Sequence, residues 1–321
     1  MLLSRNQAVR LMNKWGAERI PFLFAIDFLQ KIPFVIPLSQ LNPEEILFDI
    51  RDFAKNYTLV EIVNKLPIIK KNPISKTAYA NKFKNVLSHI HNGNSFLVNL
   101  TCKTPINCNL SLKEIFYISE AKYKFWWKDK FVVFSPECFI KIKDGIISSY
   151  PMKGTINASE PDAKNKILNN SKEKAEHYTI VDLIRNDLSM VANKVEVKKF
   201  RYIDEIITEK GKLLQVSSQI EGKLSNDYFS HLGDIIFTLL PAGSISGAPK
   251  NKTVEIILET EQYDRNYYTG IFGVFDGNNI DSGVMIRFIE QTPDGLVYKS
   301  GGGITALSNM DDEYNEIINK I

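Results

Sequence analysis

The chain has 321 residues, 44% hydrophobic and 24% charged, a composition typical of globular proteins and unlike that of disordered chains. Its net charge of +3 is small, and its lysines are scattered among acids, which argues against the basic stripe of a nucleic-acid binder. Cys102, Cys108 and Cys138 form no CxxC motif, and their odd number favours buried thiols in a reducing cytoplasm over a disulfide framework. The first residues lack the apolar core of a signal peptide, so we expect a soluble protein.

Residues 1–75 are predicted to be a short N-terminal portion packed on the core of a larger domain, residues 76–321. Pro67 and Pro73 mark the boundary between the two. The N-terminal portion is expected to begin with a helix. Two short strands, at 22–28 and 33–37, should follow, and then a second helix after Asn42-Pro43.

The larger domain begins with an amphipathic pattern that predicts a helix from Thr77 to His91, followed by a strand from Ser95 to Thr104. Three Asp-Gly pairs between apolar runs each predict a β-hairpin. They are Asp144-Gly145, Asp276-Gly277 and Asp294-Gly295. Repeated hairpins in place of regular βαβ alternation indicate antiparallel sheets with helices grouped on the outside, which is the α+β class.

The segment from Ser171 to Leu188 contains no glycine or proline and is predicted to be a helix. At helical spacing two acids, Glu173 and Glu176, fall on the same stripe as the apolar residues Ile180 and Ile184. Burying a carboxylate is costly unless it is paired or bound to a metal. The alternative is that both acids lie in the first turn, where they favour the helix dipole and stay hydrated.

A second pair of acids, Glu313 and Glu316, has the same i, i+3 spacing in the C-terminal segment Asn309 to Ile321. This segment closely follows Gly301-Gly302-Gly303, which we predict to be a tight turn whose adjacent N–H groups cradle a carboxylate. The alternative is a strained turn without a ligand. Four carboxylates from two helix starts, with no usable His/Cys set, predict Mg²⁺ rather than Zn²⁺.

Two further features concern anion binding. The segment Gly243 to Lys250 is rich in glycine but lacks the order of a phosphate-binding loop, so it predicts no nucleotide site and is interpreted as a cap of the next helix, Asn251 to Glu261. Arg287 lies inside an apolar stretch, Val284 to Ile289, that is predicted to be a strand. A guanidinium group at the centre of a strand needs an anion, either a nearby acid or a substrate carboxylate.

Taken in order, these segments resemble the chorismate-utilising enzymes, a family that includes anthranilate synthase component I, aminodeoxychorismate synthase component I, and the isochorismate and salicylate synthases. The resemblance covers roughly residues 77–321. The matching motifs are Ser135-Pro136-Glu137, Pro151-Met152-Lys153-Gly154-Thr155, Glu176-His177 leading into Asp182-Leu183-Ile184-Arg185-Asn186-Asp187-Leu188, Ala242-Gly243-Ser244-Ile245-Ser246-Gly247-Ala248-Pro249-Lys250, Tyr268-Thr269-Gly270, Ile286-Arg287, Gly301-Gly302-Gly303 and Glu313-Tyr314-Asn315-Glu316. The resemblance implies two antiparallel sheets stacked face to face, with helices on the outer faces.

Lys153 occupies the position that separates the branches of this family. Anthranilate synthases have alanine there, whereas aminodeoxychorismate synthases have lysine. A neutral lysine can add to the diene of chorismate as the ring hydroxyl leaves, and ammonia can then displace it to give 4-amino-4-deoxychorismate, the precursor of p-aminobenzoate. Glu137 corresponds to the family's general acid, and the hairpin at Asp144-Gly145 would bring it toward Lys153. Without the resemblance, Lys153 would be interpreted as a surface lysine and Glu137 as a capping acid.

Three departures from relatives bear on the activity. Isochorismate and salicylate synthases activate water with a lysine base, and the corresponding residue here is Leu97, which cannot take a proton. Leu214 corresponds to a histidine found in many relatives. The N-terminal portion is shorter than in long members, where it builds a tryptophan-binding regulatory pocket, so feedback by tryptophan is not expected.

The resemblance also implies roles for the remaining residues. Glu176 and Glu316 would hold Mg²⁺ directly, with Glu173 and Glu313 as second ligands or through water. The groups expected to bind the substrate are Ser244, Lys250, Tyr268, Arg287 and the amides of Gly301, Gly302 and Gly303. The chain has no Cys/His/Glu arrangement typical of a glutaminase, so a separate glutamine amidotransferase subunit would supply ammonia. The alternatives to an aminodeoxychorismate synthase component I are an anthranilate synthase component I and a binding module for anionic metabolites without turnover.

Overall fold

The computed structural model describes residues 3–58, 66–208 and 211–321. The helices in these ranges are Arg5–Ala17 (α1), Lys76–His91 (α2), Leu112–Ile118 (α3), Ala163–Asn169 (α4), Ser171–Ser189 (α5), Leu232–Thr238 (α6), Gly243–Ser246 (α7), Lys250–Glu261 (α8) and Met310–Asn319 (α9). The strands are Phe22–Ile26 (β1), Phe34–Pro37 (β2), Ile46–Ile50 (β3), Ala54–Lys55 (β4), Ile69–Lys71 (β5), Leu97–Cys108 (β6), Tyr123–Trp127 (β7), Phe131–Ser135 (β8), Cys138–Lys143 (β9), Ile146–Ser149 (β10), Met152–Asn157 (β11), Asn193–Thr208 (β12), Gly211–Lys223 (β13), Gly247–Ala248 (β14), Ile271–Phe275 (β15), Ile280–Val284 (β16), Phe288–Thr292 (β17) and Gly295–Ile304 (β18). None of the described helices combines the length and the apolar character needed to cross a bilayer.

The described strands form two antiparallel sheets of nine strands each. The first sheet has the order β11-β13-β10-β9-β16-β15-β1-β2, with β12 also paired to β13. The second has the order β14-β6-β18-β17-β8-β7-β3-β4, with β5 also paired to β6. The three predicted hairpins are present as β9–β10, β15–β16 and β17–β18. The α+β class and the antiparallel sheets are therefore confirmed.

The two sheets face each other across a layer of aromatic and aliphatic side chains. Phe125 of the second sheet stacks on Phe272 of the first, with ring centroids 5.1 Å apart. β1 is buried along both faces: Leu23 and Ala25 pack in the layer between the sheets, whereas Phe24 packs on the helix-covered side. Burial of a large side chain such as Leu23 or Phe24 contributes about 1.5–3 kcal/mol to the free energy of unfolding.

The N-terminal segment supplies strands to both sheets. β1 pairs with β15 in the first sheet, and β3 pairs with β7 in the second. The helix predicted after Asn42-Pro43 is wrong, because Ile46–Ile50 forms β3. Its alternate residues Ile46, Phe48 and Ile50 fill the layer between the sheets, and this packing outweighs local helix preference. Residues 59–65 of the predicted portion lie outside the described ranges.

Helix α5 lies against β12 and β13 and delivers its acidic end to one edge of the first sheet. The side chain of Asn170 caps the helix by accepting a hydrogen bond from the Glu173 N–H. The predicted stripe is confirmed: Glu176, Ile180 and Ile184 are buried, whereas Tyr178 on the opposite side is half exposed. The acid at position 176 is therefore held inside the protein and needs a partner there.

Candidate active site

A cavity of about 250 Å³ lies where β11 of the first sheet approaches β6 and β18 of the second. We call it the central cavity. The predicted site residues that line it are Glu137, Lys153, Ser244, Tyr268, Arg287, Gly301, Gly302, Gly303 and Glu316. The fold thus gathers these motifs, which lie far apart in the sequence, around one space.

A second cavity, of about 390 Å³, adjoins the central cavity at Lys153. We call it the carboxylate cavity, because its wall contains all four predicted metal ligands: Glu173, Glu176, Glu313 and Glu316. Helices α5 and α9 each contribute two of them. The exposed fractions of Glu176 and Glu313 are only 6% and 3%, so these two carboxylates are largely removed from water.

Lys153 lies on the wall between the two cavities. Its strand, β11, has an irregular register with β13 between Lys153 and Thr155, where Gly154 takes a positive φ of 75°. The Lys153 Nζ donates a hydrogen bond to Glu176 Oε2 at 2.9 Å. A Cβ added at Gly303 of β18 would lie 3.0 Å from the Leu97 side chain and in ordinary contact, at 3.6 Å, with the same Nζ.

The charge state of Lys153 follows from its acidic neighbours. Burial alone would lower the pKa of the Lys153 amine, but Glu176, Glu173 and Glu316 outweigh burial and raise it above the ordinary lysine value. Beside these carboxylates the amine is a charged ammonium group. A lysine nucleophile needs a lowered pKa. Burial lowers the pKa of Lys153, but the neighbouring carboxylates raise it by more.

Glu137 occupies the other side of the central cavity. It lies in the loop between β8 and β9, and the β9–β10 hairpin returns the chain toward β11 as predicted. The Ser244 Oγ donates a hydrogen bond to Glu137 Oε1 at 2.5 Å. Burial raises the pKa of the Glu137 carboxyl, although Ser244, Lys153, Arg287 and Lys320 oppose the shift. A carboxyl with a raised pKa retains its proton at higher pH, as a general acid must.

The segment Gly301-Gly302-Gly303 is not a tight turn, as the sequence suggested, but part of β18, where it pairs with β6. Side chains are excluded there because a Cβ at Gly301 would lie 2.5 Å from the Thr101 side chain. The pairing of β18 with β17 ends at Lys299. Beyond Lys299, the edge of β18 that faces away from β6 borders the central cavity. The peptide groups along this edge are therefore available to a ligand.

Tyr268 and Arg287 enter the central cavity from irregular backbone. Arg287 does not lie inside a strand, because the predicted strand is interrupted between β16 and β17 and Arg287 has a φ of 56°. Thr269, next to Tyr268, has a φ of 60°, which is unfavourable for a β-branched residue. Its hydroxyl accepts a hydrogen bond from the buried Arg265 and donates one to the Tyr268 carbonyl. Such strained residues cluster at functional sites.

Lys250 lies apart from the other predicted substrate-binding residues. Its Nζ forms an ion pair with Asp187 Oδ2 at 2.7 Å and donates a hydrogen bond to the Leu239 carbonyl at 2.8 Å. Both requirements of a buried ammonium group, a counter-charge and hydrogen-bond acceptors, are thereby met by the protein. A direct contact between Lys250 and a substrate carboxylate is therefore not supported by this geometry.

Some residues of the central cavity were missed in the sequence. Lys320 lines the cavity, forms an ion pair with Glu316 at 2.6 Å and donates to the Gly301 carbonyl. The i, i+4 spacing of Glu316 and Lys320 in the sequence could have predicted this ion pair. Leu214 is buried, whereas the next residue of β13, Gln215, lines the cavity. Because side chains alternate along β13, Gln215 and not Leu214 faces the central cavity.

The carboxylate cavity suits Mg²⁺ in the chemistry of its donors, since Mg²⁺ prefers carboxylate oxygens and commonly retains water. A Cβ at Gly302 would lie 3.3 Å from Glu313 Oε2, so glycine lets this carboxylate approach β18 closely. Within residues 3–58, 66–208 and 211–321, no group of three or more His, Cys, Asp or Glu side chains is arranged to hold a metal ion as it stands. Metal binding therefore requires these carboxylates to turn toward one another.

Comparison with known proteins agrees with the geometry. Residues 42–321 match the chorismate binding enzyme family. The chain is 53% identical over 310 residues to an uncharacterized PabA-like protein of Haemophilus influenzae, covering 96% of this chain and 94% of that one. It is 28% identical over 263 residues to aminodeoxychorismate synthase component 1 of Salmonella typhimurium, covering 77% of this chain and 57% of that one.

Among solved structures, anthranilate synthase component I from Streptococcus pneumoniae superposes with a TM-score of 0.69 at 26% identity, covering 81% of this chain and 60% of that one. These representatives of the two branches are nearly equally distant in sequence, at 28% and 26% identity. The motifs, the fold and the match over most of the length agree, and the chain belongs to the chorismate binding enzymes, a family of enzymes that act on chorismate.

Proposed function

We propose that the protein is the chorismate-aminating component of an aminodeoxychorismate synthase, converting chorismate and ammonia to 4-amino-4-deoxychorismate and water. The observation that carries this proposal is the position of Lys153. Its amine lies on the wall shared by the central and carboxylate cavities, and Glu137 lines the central cavity with it. A primary amine and a carboxylic acid that line one cavity are what the covalent route requires.

In this proposal the dianionic substrate binds in the central cavity. Arg287, Tyr268 and the peptide groups of Gly301–Gly303 would bind its carboxylates, and Lys320 adds positive charge on the same wall. Ser244 would act indirectly, because its hydroxyl holds the Glu137 carboxyl. The Glu137 proton would go to the departing ring hydroxyl, which leaves as water.

The amine of Lys153 would form the transient bond to the ring. To do so it must first lose a proton and its hydrogen bond to Glu176. Glu176 and Glu316 would hold Mg²⁺, with Glu173 and Glu313 completing or hydrating its shell. When bound, the cation would neutralise these carboxylates and one substrate carboxylate. This proposal accounts for a cavity with four acids beside a binding site for an anion.

The nucleophile that completes the reaction would be ammonia rather than water. Leu97, at the position where a lysine would activate water, lines the central cavity and is 3% exposed. An apolar side chain supplies no base, and ammonia needs none because its lone pair is already available. A glutamine amidotransferase subunit would deliver the ammonia, and free ammonia at high pH would substitute for it.

The direct test is product analysis with purified protein, chorismate, Mg²⁺ and ammonium at high pH, coupled to aminodeoxychorismate lyase. Appearance of p-aminobenzoate is the expected result. Fluorescent anthranilate instead would assign the protein to the anthranilate synthase branch. Equilibrium binding of chorismate without consumption would reject enzymatic turnover and support a binding module.

A further inference from the structure

A small cavity of about 30 Å³, which we call the inner cavity, is lined by Glu137 but not by Lys153. Glu137 and Ser244 line both this inner cavity and the central cavity, so they form the partition between the two. The wall on the far side contains Asp187, and most of the remaining wall is apolar, including Ile184 and Leu239. Two carboxylate residues from different parts of the fold therefore line one small space.

The space is large enough for water. A buried water molecule needs about 10–15 Å³ of such volume and two or more polar partners. Glu137 and Asp187 provide these partners, while the hydroxyl of Ser149, which also lines the cavity, is already donated to the Phe139 carbonyl. One or two waters would hydrogen-bond to both carboxyl groups and connect them.

The Asp187–Lys250 ion pair connects this inner cavity to solvent. The two side chains remain 12% and 14% exposed, so they are accessible from outside. Gly243 preserves their position, because a Cβ there would lie 3.0 Å from Asp187 Oδ2. Neither charged group has a role in the proposed chemistry at the central cavity, although each lies in a motif that carries the family resemblance.

We propose that buried water in the inner cavity links Glu137 to the Asp187–Lys250 ion pair and returns a proton to Glu137 after each turnover. This inference rests on the proposed function, in which Glu137 is the general acid. Asp187 is then a positioning residue that acts through water and never touches the substrate.

The proton balance of the reaction makes such a route useful. The ring C–O bond breaks, the oxygen takes the Glu137 proton and leaves as water, and Glu137 becomes a carboxylate. The Lys153 nitrogen bonds to the ring as this C–O bond breaks. Ammonia then forms the new C–N bond as the bond to Lys153 breaks, and its nitrogen releases one proton to solvent, so no net proton is consumed. With the central cavity filled by substrate, Glu137 can be reprotonated from behind: Lys250 gives a proton through Asp187 and the water, and regains one from solvent.

The charges that face Glu137 from other elements set its protonation as well. Lys153 on β11, Arg287 before β17 and Lys320 after α9 all favour its carboxylate form. Burial opposes them and raises its pKa. Burial also raises the pKa of Asp187, against the opposing charge of Lys250, which makes Asp187 a better carrier of a proton than an exposed aspartate.

The kinetic test compares Asp187→Asn with Asp182→Asn, which removes an exposed carboxylate from the same helix. For Asp187→Asn we expect kcat to fall by about tenfold, a part of the 10²–10⁴ that a general acid contributes. The chorismate KM should stay within about twofold, and the solvent deuterium isotope effect on kcat should increase. Asp182→Asn should match the wild type. An Asp187→Asn enzyme with unchanged kcat and isotope effect would overturn the relay.

A second test does not depend on turnover. Infrared difference spectra between each protein and the same protein carrying Glu137→Gln isolate the carboxylic C=O stretch of Glu137. Ser149→Val fills the inner cavity while keeping both carboxyls, and Ser149→Ala removes the hydroxyl but leaves the space. We expect the band to shift in Ser149→Val and Asp187→Asn and to stay in place in Ser149→Ala. A band that is the same in all four proteins would refute the water link, whether or not the wild type aminates chorismate.

Discussion

Lys153 lines both the central cavity and the carboxylate cavity. On one side it contacts Glu176 at 2.9 Å, and on the other it lines the central cavity beside Arg287. The ion pair gives the buried amine its counter-charge, whereas the proposed reaction would need the amine released and neutral. Activity and stability therefore make opposite demands on the same contact.

Replacement of Lys153 separates these two demands. We expect Lys153→Ala to lower kcat by about three orders of magnitude or more, because a covalent nucleophile is lost. Lys153→Arg should be equally inactive although it keeps a cation beside Glu176, since a guanidinium group stays protonated. Lys198→Ala, which removes an exposed lysine, is the control. Steady-state rates with ammonium, together with circular dichroism spectra, decide the matter, and an active Lys153→Ala would eliminate the covalent role.

Glu137 gives a prediction about pH. Its raised pKa means that the folded protein holds the proton more tightly than the unfolded chain, whose carboxyl pKa is about 4.3. Its contribution to stability is complete below the unfolded pKa and is lost as pH rises through the folded pKa. We expect kcat to fall over that same rise, and the stability of the wild type relative to Glu137→Gln to fall with it. Rate profiles and urea unfolding at several pH values test this, and a relative stability that does not change with pH would contradict it.

Sequence motifs identified Glu137 and Lys153 correctly as neighbours of one cavity, because the hairpin between them is set by local turn chemistry. Lys250 was misplaced because its partner, Asp187, comes from a different helix and no local pattern pairs them. Whether Leu214 or Gln215 lines the central cavity depends on which face of β13 is buried, and a shift of one residue in register would exchange them. Side-chain direction was thus the least predictable property of the site.

Among the elements, helices α5 and α9 matter most, since each brings two acids to one cavity. We expect Mg²⁺ binding, measured by isothermal titration calorimetry with chorismate present, to weaken by at least about tenfold in Glu176→Gln and in Glu316→Gln. Asp312→Asn removes an exposed acid from α9 and should bind Mg²⁺ like the wild type. Equal affinity in all three variants would place the metal elsewhere.

The end of α8 carries a buried ion pair that fixes the walls of the central cavity. Arg265 and Glu261 are joined by two hydrogen bonds, and Arg265 also donates to the carbonyls of Asn99 and Ile245, both residues of the cavity wall. This pair ties β6 and α7 to one cation.

Removing one partner leaves the other charge buried and uncompensated. We expect Glu261→Gln to lower the free energy of unfolding by about 3–5 kcal/mol. Glu255→Gln breaks an exposed pair with Lys252 on the same helix and should change the free energy of unfolding far less. Urea denaturation measures both, and equal stability of the two variants would show that the buried pair contributes no more than a surface contact.

Elements with a local signal were predictable from the sequence. The three Asp-Gly hairpins, α2, α5 and the C-terminal helix all appear near their expected positions. β3 was mistaken for a helix because it is stabilised by pairing with β7, more than seventy residues later in the chain. Gly301–Gly303 was mistaken for a turn for a related reason, since close approach to β6 and not chain reversal requires the glycines there.

For the whole molecule, the stacking of the two sheets explains why a lysine from the first can face glycines of the second across one cavity. The family match begins at residue 42 rather than 77, in agreement with β3 as an integral strand of the second sheet. The sequence predicted the class and the antiparallel sheets, but not how the N-terminal strands join them, because such pairings are long-range.

The most direct measurement of the central claim is mass spectrometry of the intact protein after incubation with chorismate and Mg²⁺ in the absence of ammonia. We expect an adduct with the mass of chorismate minus one water, located on the peptide that contains Lys153, absent from Lys153→Ala and discharged when ammonium is added. Formation of 4-amino-4-deoxychorismate at the wild-type rate by a protein that carries no such adduct, or by Lys153→Ala, would contradict it.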